Sequence, residues 1–362
     1  MNTELLEGLL REGVTSNVFP LARLEVFHKD EHVISLGNAD PTCVFDLASL
    51  SKVMSTTALV LDQQLAIESS LQRFLPTALA QVSLADLMFH RSGLPAFLPY
   101  FDEEMTSHPE LREPATFPEL RARIRTAVID RVCRTAPTAA NGVAAVYSDI
   151  GFILLGAVLE TASGLPLDRL FATRIAAPLG LSAGYRRISS GLPLPAHLAP
   201  TQLARPREPA VGQEGMWKVS SIEGGPGQVD DDNCFVLDGV SGHAGLFGTA
   251  LDVARYGQAI LEERWVPTSP WGRDTLTPGS TRALGFDTPS DEGASCGQRF
   301  GRKGPRGAIG HLGFTGTALW IDFDRQLVVA LLTNRVALGR ANIQIRAFRP
   351  RVFDAVLDAL GV

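Results

Sequence analysis

Lysine is scarce in this chain, and so are cysteine and long apolar runs. Only 4 of the 33 basic residues are lysines, and the net charge at pH 7 is -6. The arginines are dispersed among acidic residues rather than gathered into a basic arm. A chain with this charge balance has no electrostatic reason to bind nucleic acid or an anionic membrane surface, so neither partner is expected.

The few cysteines exclude a disulfide scaffold and a zinc site of the usual kinds. Cys43, Cys133, Cys234 and Cys296 are widely separated and match no metal-ligand spacing. We therefore expect reduced, structural cysteines, with no metal and no other cofactor.

Long apolar runs are also missing, and their absence is relevant to whether the chain is expected to lie in a membrane. No run approaches the roughly 20 residues that span a bilayer, and the longest lies around residues 327–332. Residues 1–11 form an acidic amphipathic pattern without the basic start and continuous apolar core of a secretory signal. Provided that Met1 is the native start, the expected location is cytoplasmic. The 362 residues, 45% of them hydrophobic, suffice for a large core and about two structural units.

One of the four lysines stands three residues after a serine, in Ser49-Leu50-Ser51-Lys52 at the start of a predicted helix. Residues i and i+3 lie on the same face of a helix, so Lys52 is expected to contact Ser49. A serine hydroxyl becomes an effective nucleophile when a base takes its proton. Lys52 serves as that base if burial or nearby cations lower its pKa, a change that arginine does not undergo. Taken alone, S-x-x-K is also typical of a solvated helix.

A second motif, Tyr147-Ser148-Asp149, follows a loop rich in Pro, Ala, Asn and Gly and precedes an apolar run at residues 150–156. Tyr147 is therefore placed at a boundary between loop and helix. A tyrosine flanked by cations can pass a proton from a serine to a leaving group. The alternative is an ordinary half-buried aromatic residue, with Ser148 or Asp149 as the helix N-cap.

A third motif begins at Gly310-His311-Leu312-Gly313-Phe314 and runs through residues 315–322. It looks like a strand with an edge opened by glycine, and we expect one strand over residues 310–321. Such an edge can accept an extended acyl chain and donate a backbone N–H to an oxyanion. A hairpin in which the glycines relieve crowding explains the segment equally well.

In this order the three motifs resemble those of the serine β-lactamase and penicillin-binding-protein superfamily, specifically the class C-like serine hydrolases, D-alanyl-D-alanine carboxypeptidases and esterases. The resemblance covers about residues 20–358, and residues 87–95, 242–247, 283–287 and 331–335 also look familiar. It implies that Ser49 is the acylated nucleophile and that Lys52 and Tyr147 share the acid–base work. The N–H groups of Ser49 and Phe314 would form the oxyanion hole.

The resemblance also assigns substrate-binding residues, namely Asp149, His311, Gly313 and Phe314. Two of these positions depart from the family pattern. Leu312 stands where many lactam-active relatives have a Thr or Ser whose hydroxyl helps to hold a substrate carboxylate. Asp149 replaces the usual Asn, and an ionised carboxylate can only accept hydrogen bonds. Efficient β-lactam hydrolysis is therefore not expected.

His311 is a third departure, because the family often has Lys at this position. A histidine is only partly charged near neutral pH and makes a weaker fixed clamp for a carboxylate. Arg302, Lys303 or Arg306 is expected to compensate for this.

The fold class expected from the resemblance is α/β (α+β), with an antiparallel sheet flanked by helices and an inserted all-helical lobe. Residues 1–71 and 263–362 would form the discontinuous sheet domain, and residues 72–262 the mainly helical lobe. Within that lobe, residues 186–233, here called the irregular segment, are rich in Pro, Gly and charge. A long irregular segment in a compact enzyme is usually a lid or binding loop. Helices are predicted at about 3–13, 120–133, 151–163 and 350–360, and strands at 21–28, 32–36 and 327–333.

Other polar residues have ordinary interpretations at this stage. The run Asp230-Asp231-Asp232 is expected to be a solvated loop rather than a cation site. His90 and His243 are expected to be loop histidines bonded to backbone. Trp217 is as suited to a wall of the acyl pocket as to any other role.

The leading hypothesis is a serine hydrolase that forms a covalent acyl-enzyme at Ser49 on small esters, amides or D-amino-acid peptides. A β-lactamase or D-alanyl-D-alanine carboxypeptidase proper is one alternative. The other is a non-catalytic binding or regulatory protein that uses the same cleft. The only partner expected is a small-molecule acyl substrate, and nothing in the sequence predicts an oligomeric state.

Overall fold

The computed structural model describes residues 2–112, 117–223, 225–263, 277–291, 293–301 and 306–362. The strands are β1 Ala22–His28, β2 Glu31–Gly37, β3 Phe45–Asp46, β4 Gly184–Tyr185, β5 Ala204–Arg205, β6 Ile222–Glu223, β7 Leu246–Gly248, β8 Arg282–Ala283, β9 Phe286–Asp287, β10 Ala308–Leu312, β11 Ala318–Asp322 and β12 Leu327–Thr333. The α-helices are α1 Glu4–Thr15, α2 Ala58–Asp62, α3 Leu84–Met88, α4 Tyr100–Ser107, α5 Pro118–Cys133, α6 Asp149–Ser163, α7 Leu167–Phe171, α8 Ala177–Leu179, α9 Asp232–Val236, α10 Ala250–Leu261 and α11 Ile345–Leu360.

The main sheet unites strands from both ends of the chain in the order β2-β1-β12-β11-β10-β9-β8, and its paired strands are antiparallel. β12 is buried on both faces, which explains why residues 327–332 are continuously apolar. Alternate residues of β12 belong to two different cores: Val329 and Leu331 to one, Val328 and Leu332 to the other. The period of two along the strand therefore divides the apolar run between two layers.

Helices cover both faces of this sheet. On one face, α1 and α11 pack against each other and share a core with β1 and the Val329 side of β12. On the other face, α10 packs on β12, β11 and β1 and joins the sheet to the helical part of the chain. An antiparallel sheet flanked by helices is thus confirmed.

Helix α6 is the centre of the helical lobe. Its residues 150–159 are all buried, as expected for a helix that is apolar all round. At Gly156 a Cβ would lie only 2.8 Å from the backbone N of Gly242, so glycine allows α6 and the 241–245 loop to approach closely.

Three local predictions need correction. Residues 310–321 form a hairpin of β10 and β11 rather than one strand, because Gly313–Thr317 closes a turn in which the N–H of Gly313 donates to the oxygen of Thr317 at 2.7 Å. The last helix begins at Ile345 and contains Pro350, whose ring fits helical φ at the cost of one hydrogen bond. The helix after Ser49 opens as a π-helical turn, Lys52–Thr57.

The Asp230-Asp231-Asp232 run is not the solvated loop expected from its charge. Asp230 and Asp232 are buried, and Arg205, Arg207 and Arg340 neutralise them. Buried carboxylates need such partners, and these pairs join the irregular segment to the chain after β12. The neutralising arginines lie far from the aspartates in the sequence. The acidic run alone therefore gives no indication that its carboxylates are buried.

One further finding concerns membrane spans. Among the described residues, no single helix is long and apolar enough to cross a bilayer, and α6 with Leu167–Leu179 passes that test only as a pair bent by 77°.

Candidate active site

Ser49 lies in a tight turn between β3 and the π-helical turn. The preceding residue, Ala48, has a φ of 48°, and the Asp46 carboxylate accepts its N–H at 2.8 Å. The side chain that ends β3 thus fixes the left-handed backbone that presents Ser49. Lys52 Nζ donates to Ser49 Oγ at 3.0 Å, so the contact expected from the i, i+3 spacing is present.

Lys52 is fully buried and has three oxygen partners. Besides Ser49, its ammonium group bonds Asp149 Oδ1 at 2.6 Å and the carbonyl oxygen of His243 at 3.1 Å. Burial acts to lower the pKa of Lys52, but the charges and hydrogen bonds of Asp149 and Tyr147 outweigh it and raise that pKa above its ordinary value. The condition for Lys52 to act as a base, a lowered pKa, is therefore not met, because Asp149 stands beside it. The raised pKa favours the charged form of Lys52.

Tyr147 lies between two cations and two histidines. Lys52 Nζ is 4.9 Å from the centre of its ring, and the guanidinium carbon of Arg282 is 4.8 Å from the same centre. The rings of His90 and His311 lie 4.6 Å and 5.8 Å from the Tyr147 ring. Two positive charges therefore lie close to the Tyr147 ring.

The turn between β10 and β11 is hydrogen-bonded directly to the turn that carries Ser49. Thr315 Oγ1 donates to the carbonyl oxygen of Asp46 at 2.8 Å, and Thr317 Oγ1 donates to that of Leu47 at 3.1 Å. A Cβ at Gly313 would lie 2.7 Å from the Leu47 oxygen, so only glycine permits this approach. The hairpin and the serine are therefore held as one unit.

The expected oxyanion hole consists of two backbone donors on this unit. Within the described parts of the chain, the N–H groups of Ser49 and Phe314 donate to no other residue. Both residues line the same cleft. Two unbonded N–H groups beside a nucleophile are what an oxyanion requires.

His311 is neutral rather than partly charged. Burial, together with the charges of Lys52 and Arg282, holds the pKa of His311 well below its usual value. Its Nδ1–H donates to the carbonyl oxygen of Leu312 at 2.9 Å, so Nε2 is left as an acceptor, and that buried atom has no partner among the described residues. His311 can accept a hydrogen bond from a substrate but cannot hold a carboxylate by charge.

Of the residues expected to compensate for His311, Arg302 and Lys303 lie outside the described residues. The Arg306 guanidinium lies over the ring of Phe323, 5.4 Å from its centre. Besides Lys52, Arg282 is a cation that faces Tyr147. Arg282 directly precedes segment 283–287, which resembles the family. This position in the sequence could have marked Arg282 as a site residue.

The cleft around Ser49 has a volume of about 410 Å³. All seven residues predicted from the sequence lie at it or directly beneath it: Ser49, Lys52, Tyr147, Asp149, His311, Gly313 and Phe314. The irregular segment adds Trp217, whose ring packs edge-on against Phe101 at 5.2 Å. The segment thus forms one wall of the cleft.

Two histidine predictions have different outcomes. His90 is bonded to backbone as expected, since its Nδ1 accepts the N–H of Ser148 at 3.0 Å. His243 instead lines the cleft and bonds the side chains of Ser241 and Asp231, each at 2.8 Å. The prediction for His243 was wrong, because its two ring nitrogens bond side chains rather than backbone.

None of the four cysteines is among the residues that line the cleft. All four cysteines are buried thiols. No group of three or more His, Cys, Asp or Glu residues in the described ranges is arranged to hold a metal ion.

Comparison with known proteins decides the family. A family model described as Beta-lactamase matches residues 6–348. The chain belongs to the beta-lactamase family. Within this family it is 29% identical over 321 residues to a protein named N-acetylmuramyl-L-alanine amidase from Bacillus subtilis (strain 168), covering 81% of this chain and 68% of the relative.

Solved structures show the same beta-lactamase-family fold. The octameric penicillin-binding protein homologue from Pyrococcus abyssi matches with a TM-score of 0.66 and 16% identity over 100% of this chain and 78% of that one. EstCE1, described as a hydrolase with promiscuous acyltransferase activity, matches with a TM-score of 0.66 and 20% identity over 95% of this chain and 97% of that one. The chain is thus a beta-lactamase-family hydrolase, and the recognition made from its three motifs is confirmed.

Proposed function

We propose that this protein is a serine hydrolase that forms an acyl-enzyme at Ser49 and cleaves the amide bond of a small amide or D-amino-acid peptide. The observation that carries the proposal is the 3.0 Å contact of Lys52 Nζ with Ser49 Oγ, made by a buried cation that also bonds Asp149 at 2.6 Å. A cleft used only for binding has no physical need for a nucleophile on a fixed cation.

In the proposed reaction Ser49 Oγ attacks the substrate carbonyl carbon. The hydroxyl proton passes by way of the Tyr147 oxygen to the leaving nitrogen, and Lys52 and Arg282 stabilise the charge that develops on that oxygen. The carbonyl oxygen becomes an oxyanion that accepts the N–H groups of Ser49 and Phe314. The C–N bond then breaks, the amine leaves, and water cleaves the acyl-enzyme to a free carboxylic acid.

The amide class is supported by the curated relative, whose name makes it an N-acetylmuramyl-L-alanine amidase. We infer that an acylated alanine of the muramyl-peptide kind is the first substrate to test. Asp149 and the unbonded Nε2 of His311 are two acceptors in the cleft, and an amide N–H is a donor that can meet them.

The direct test is hydrolysis of N-acetylmuramyl-L-alanine, followed by the release of free alanine. We expect release by the wild-type protein and none by Ser49→Ala, which removes one hydroxyl and adds no bulk. Equal thermal unfolding temperatures for the two proteins would show that the loss is chemical. Release at the wild-type rate by Ser49→Ala would refute the proposal.

An esterase is the second candidate, because Leu312 places an apolar side chain at the cleft where lactam-active relatives carry a hydroxyl. Neutral acyl chains suit such a surface better than carboxylates do. p-Nitrophenyl butyrate discriminates between the two candidates. A kcat/KM for this ester far above that for every amide tested would favour the esterase, and the reverse order would favour the amidase.

A further inference from the structure

A second cavity, here called the α10 groove, lies between α10 and the hairpin of β1 and β2. Its volume is about 430 Å³, and among the described residues none lines both this groove and the cleft around Ser49. The hairpin and α10 with its C-terminal end contribute most of the lining, including Phe27, Asp30, His32, Arg255, Gln258 and Glu262. A cavity of this size is large enough for a small molecule.

Gln258 contributes a buried acceptor that has no partner. Only 7% of the residue is exposed, and its Nε2 donates to Asp30 Oδ1 at 2.7 Å and to Glu262 Oε1 at 3.1 Å. The reverse orientation of the amide would turn Oε1 towards two carboxylate oxygens, so these two bonds fix the orientation. Oε1 is left without a hydrogen bond to any described residue. A buried acceptor costs free energy until a donor meets it.

The carboxylates of Asp30 and Glu262 meet at this one neutral amide group. Two like charges held close together favour the binding of a cation between them. In the described parts of the chain, no cation forms an ion pair with Asp30, and Arg255, which is exposed, forms no ion pair either. His32 is engaged elsewhere, because its Nε2 is bonded to Glu25 Oε2 at 2.6 Å. The groove therefore offers negative charge that its own residues do not neutralise at Asp30.

We propose that the α10 groove binds the ammonium group of a small amine. An ammonium ion carries three N–H donors together with a positive charge. Asp30 Oδ2 and Gln258 Oε1 are acceptors for two of these donors, and Glu262 adds negative charge to the same site. The Phe27 ring, stacked on His32 with ring centres 4.8 Å apart, gives the apolar part of the amine a surface to pack against.

The ammonium group can come from an amino acid or from a simple amine. An amino acid also carries a carboxylate, and Arg255 is the cation in the groove that can bind it. A simple amine makes no use of Arg255. The two sources therefore differ in whether Arg255 contributes to binding.

The test is an NMR titration of the wild-type, full-length protein with n-pentylamine, L-norleucine and n-pentanol. Removal of the carboxylate from norleucine gives n-pentylamine, and n-pentanol has a hydroxyl in place of the ammonium group. We expect n-pentylamine to shift the amide signals of residues that line the α10 groove. The Kd for n-pentanol is expected to be at least about tenfold higher, because hydrogen bonds between charged groups are roughly twice as strong as neutral ones. Equal Kd values, or signal shifts confined to the cleft around Ser49, would overturn the proposal.

Asp30→Asn tests the site directly. Asp30 has a φ of 67°, and asparagine also adopts this left-handed backbone, so the turn is expected to keep its shape. The variant is expected to raise the Kd for n-pentylamine about tenfold. Glu31→Gln is the matched control, because Glu31 is the next residue in the same turn, is exposed and is not among the residues that line the groove. An unchanged Kd in Asp30→Asn, or an equal loss in Glu31→Gln, would overturn the proposal.

Gln258→Met provides a second variant that removes the amide and keeps the length of the side chain. It is expected to weaken the binding of n-pentylamine about as much as Asp30→Asn does, and full affinity in this variant would exclude a role for Gln258 Oε1. Arg255→Gln identifies the source of the ammonium group. Tighter binding of norleucine than of n-pentylamine, lost in Arg255→Gln, would support an amino acid; equal affinities that Arg255→Gln leaves unchanged would support a simple amine. None of these results depends on the reaction at Ser49, since the titrations measure binding alone.

Discussion

Asp149→Asn is the change that best separates the two roles open to Lys52. In the structure Asp149 Oδ1 lies 2.6 Å from Lys52 Nζ, and the lysine side chain is fully buried. Asparagine has the same shape and keeps an acceptor oxygen but carries no charge. Burial is the largest influence on the pKa of Lys52 and acts downwards, so this pKa is expected to fall once the carboxylate is gone.

The size of the change follows from the type of bond that is altered. A hydrogen bond to a charged group is worth about 1.5–3 kcal/mol, and a neutral one about 1 kcal/mol. The difference of about 1–2 kcal/mol corresponds to roughly one pKa unit. In the wild type, the raised pKa of Lys52 contributes stability that is complete below its ordinary pKa and is lost only as the pH rises through the folded-state pKa. Near neutral pH, Lys52 therefore gives the wild type no pH dependence of stability.

The assay is the pH profile of kcat/KM for a neutral p-nitrophenyl ester. If Lys52 acts as a cation, its deprotonation ends activity, so the alkaline limb of Asp149→Asn is expected about one unit below that of the wild type, with the acidic limb unmoved. Asp62→Asn is the matched control, because Asp62 pairs with the exposed Arg174 at 2.8 Å outside the cleft. An acidic limb that moves down, with higher activity at neutral pH, would refute the reasoning and show that Lys52 works as an amine base.

Three further changes test other parts of the site. Gly313→Ala places a Cβ 2.7 Å from the Leu47 oxygen and is expected to lower kcat at least about a hundredfold; wild-type rates would show that the turn tolerates a side chain. Burial and the neighbouring carboxylate of Asp230 raise the pKa of Asp46 to about 7. Ionisation of Asp46 therefore lowers the free energy of unfolding as the pH rises from about 4 to 7, by up to about 4 kcal/mol. Asp46→Asn should therefore flatten the fall in unfolding temperature between about pH 4 and 7, and an unchanged slope would contradict this. Trp217→Ala removes an aromatic contact of 5.2 Å and should raise KM about 5–10-fold for an aromatic acyl ester but not for an acetyl ester; equal effects on both would argue against an acyl-pocket wall.

The positions of Ser49, Lys52 and the sheet could be predicted because each depends on local spacing. The i, i+3 relation of Ser49 and Lys52 survives in the structure at 3.0 Å, even though the turn between them continues as a π-helix. The apolar run at 327–332 identified a strand, and β12 uses both of its faces. Order along the chain then brought the three motifs into one cleft.

Charge partners could not be predicted in the same way, because they come from distant segments. Asp230 meets Arg340 across 110 residues, and this pairing converts an acidic run into a buried network. Lys52 meets Asp149 across 97 residues, and this contact helps to raise the pKa of Lys52, the opposite of what a general base needs. Local patterns show which side chains are chemically able to act, while long-range partners decide their charge.

The measurement that tests the central claim most directly is the intact-protein mass after brief reaction with p-nitrophenyl acetate and an acid quench. The account predicts that the wild-type protein gains the mass of one acetyl group, that peptide mapping places it on Ser49, and that Ser49→Ala gains nothing. Rapid wild-type turnover with no adduct at Ser49, or the same adduct on Ser49→Ala, would contradict the acyl-enzyme account.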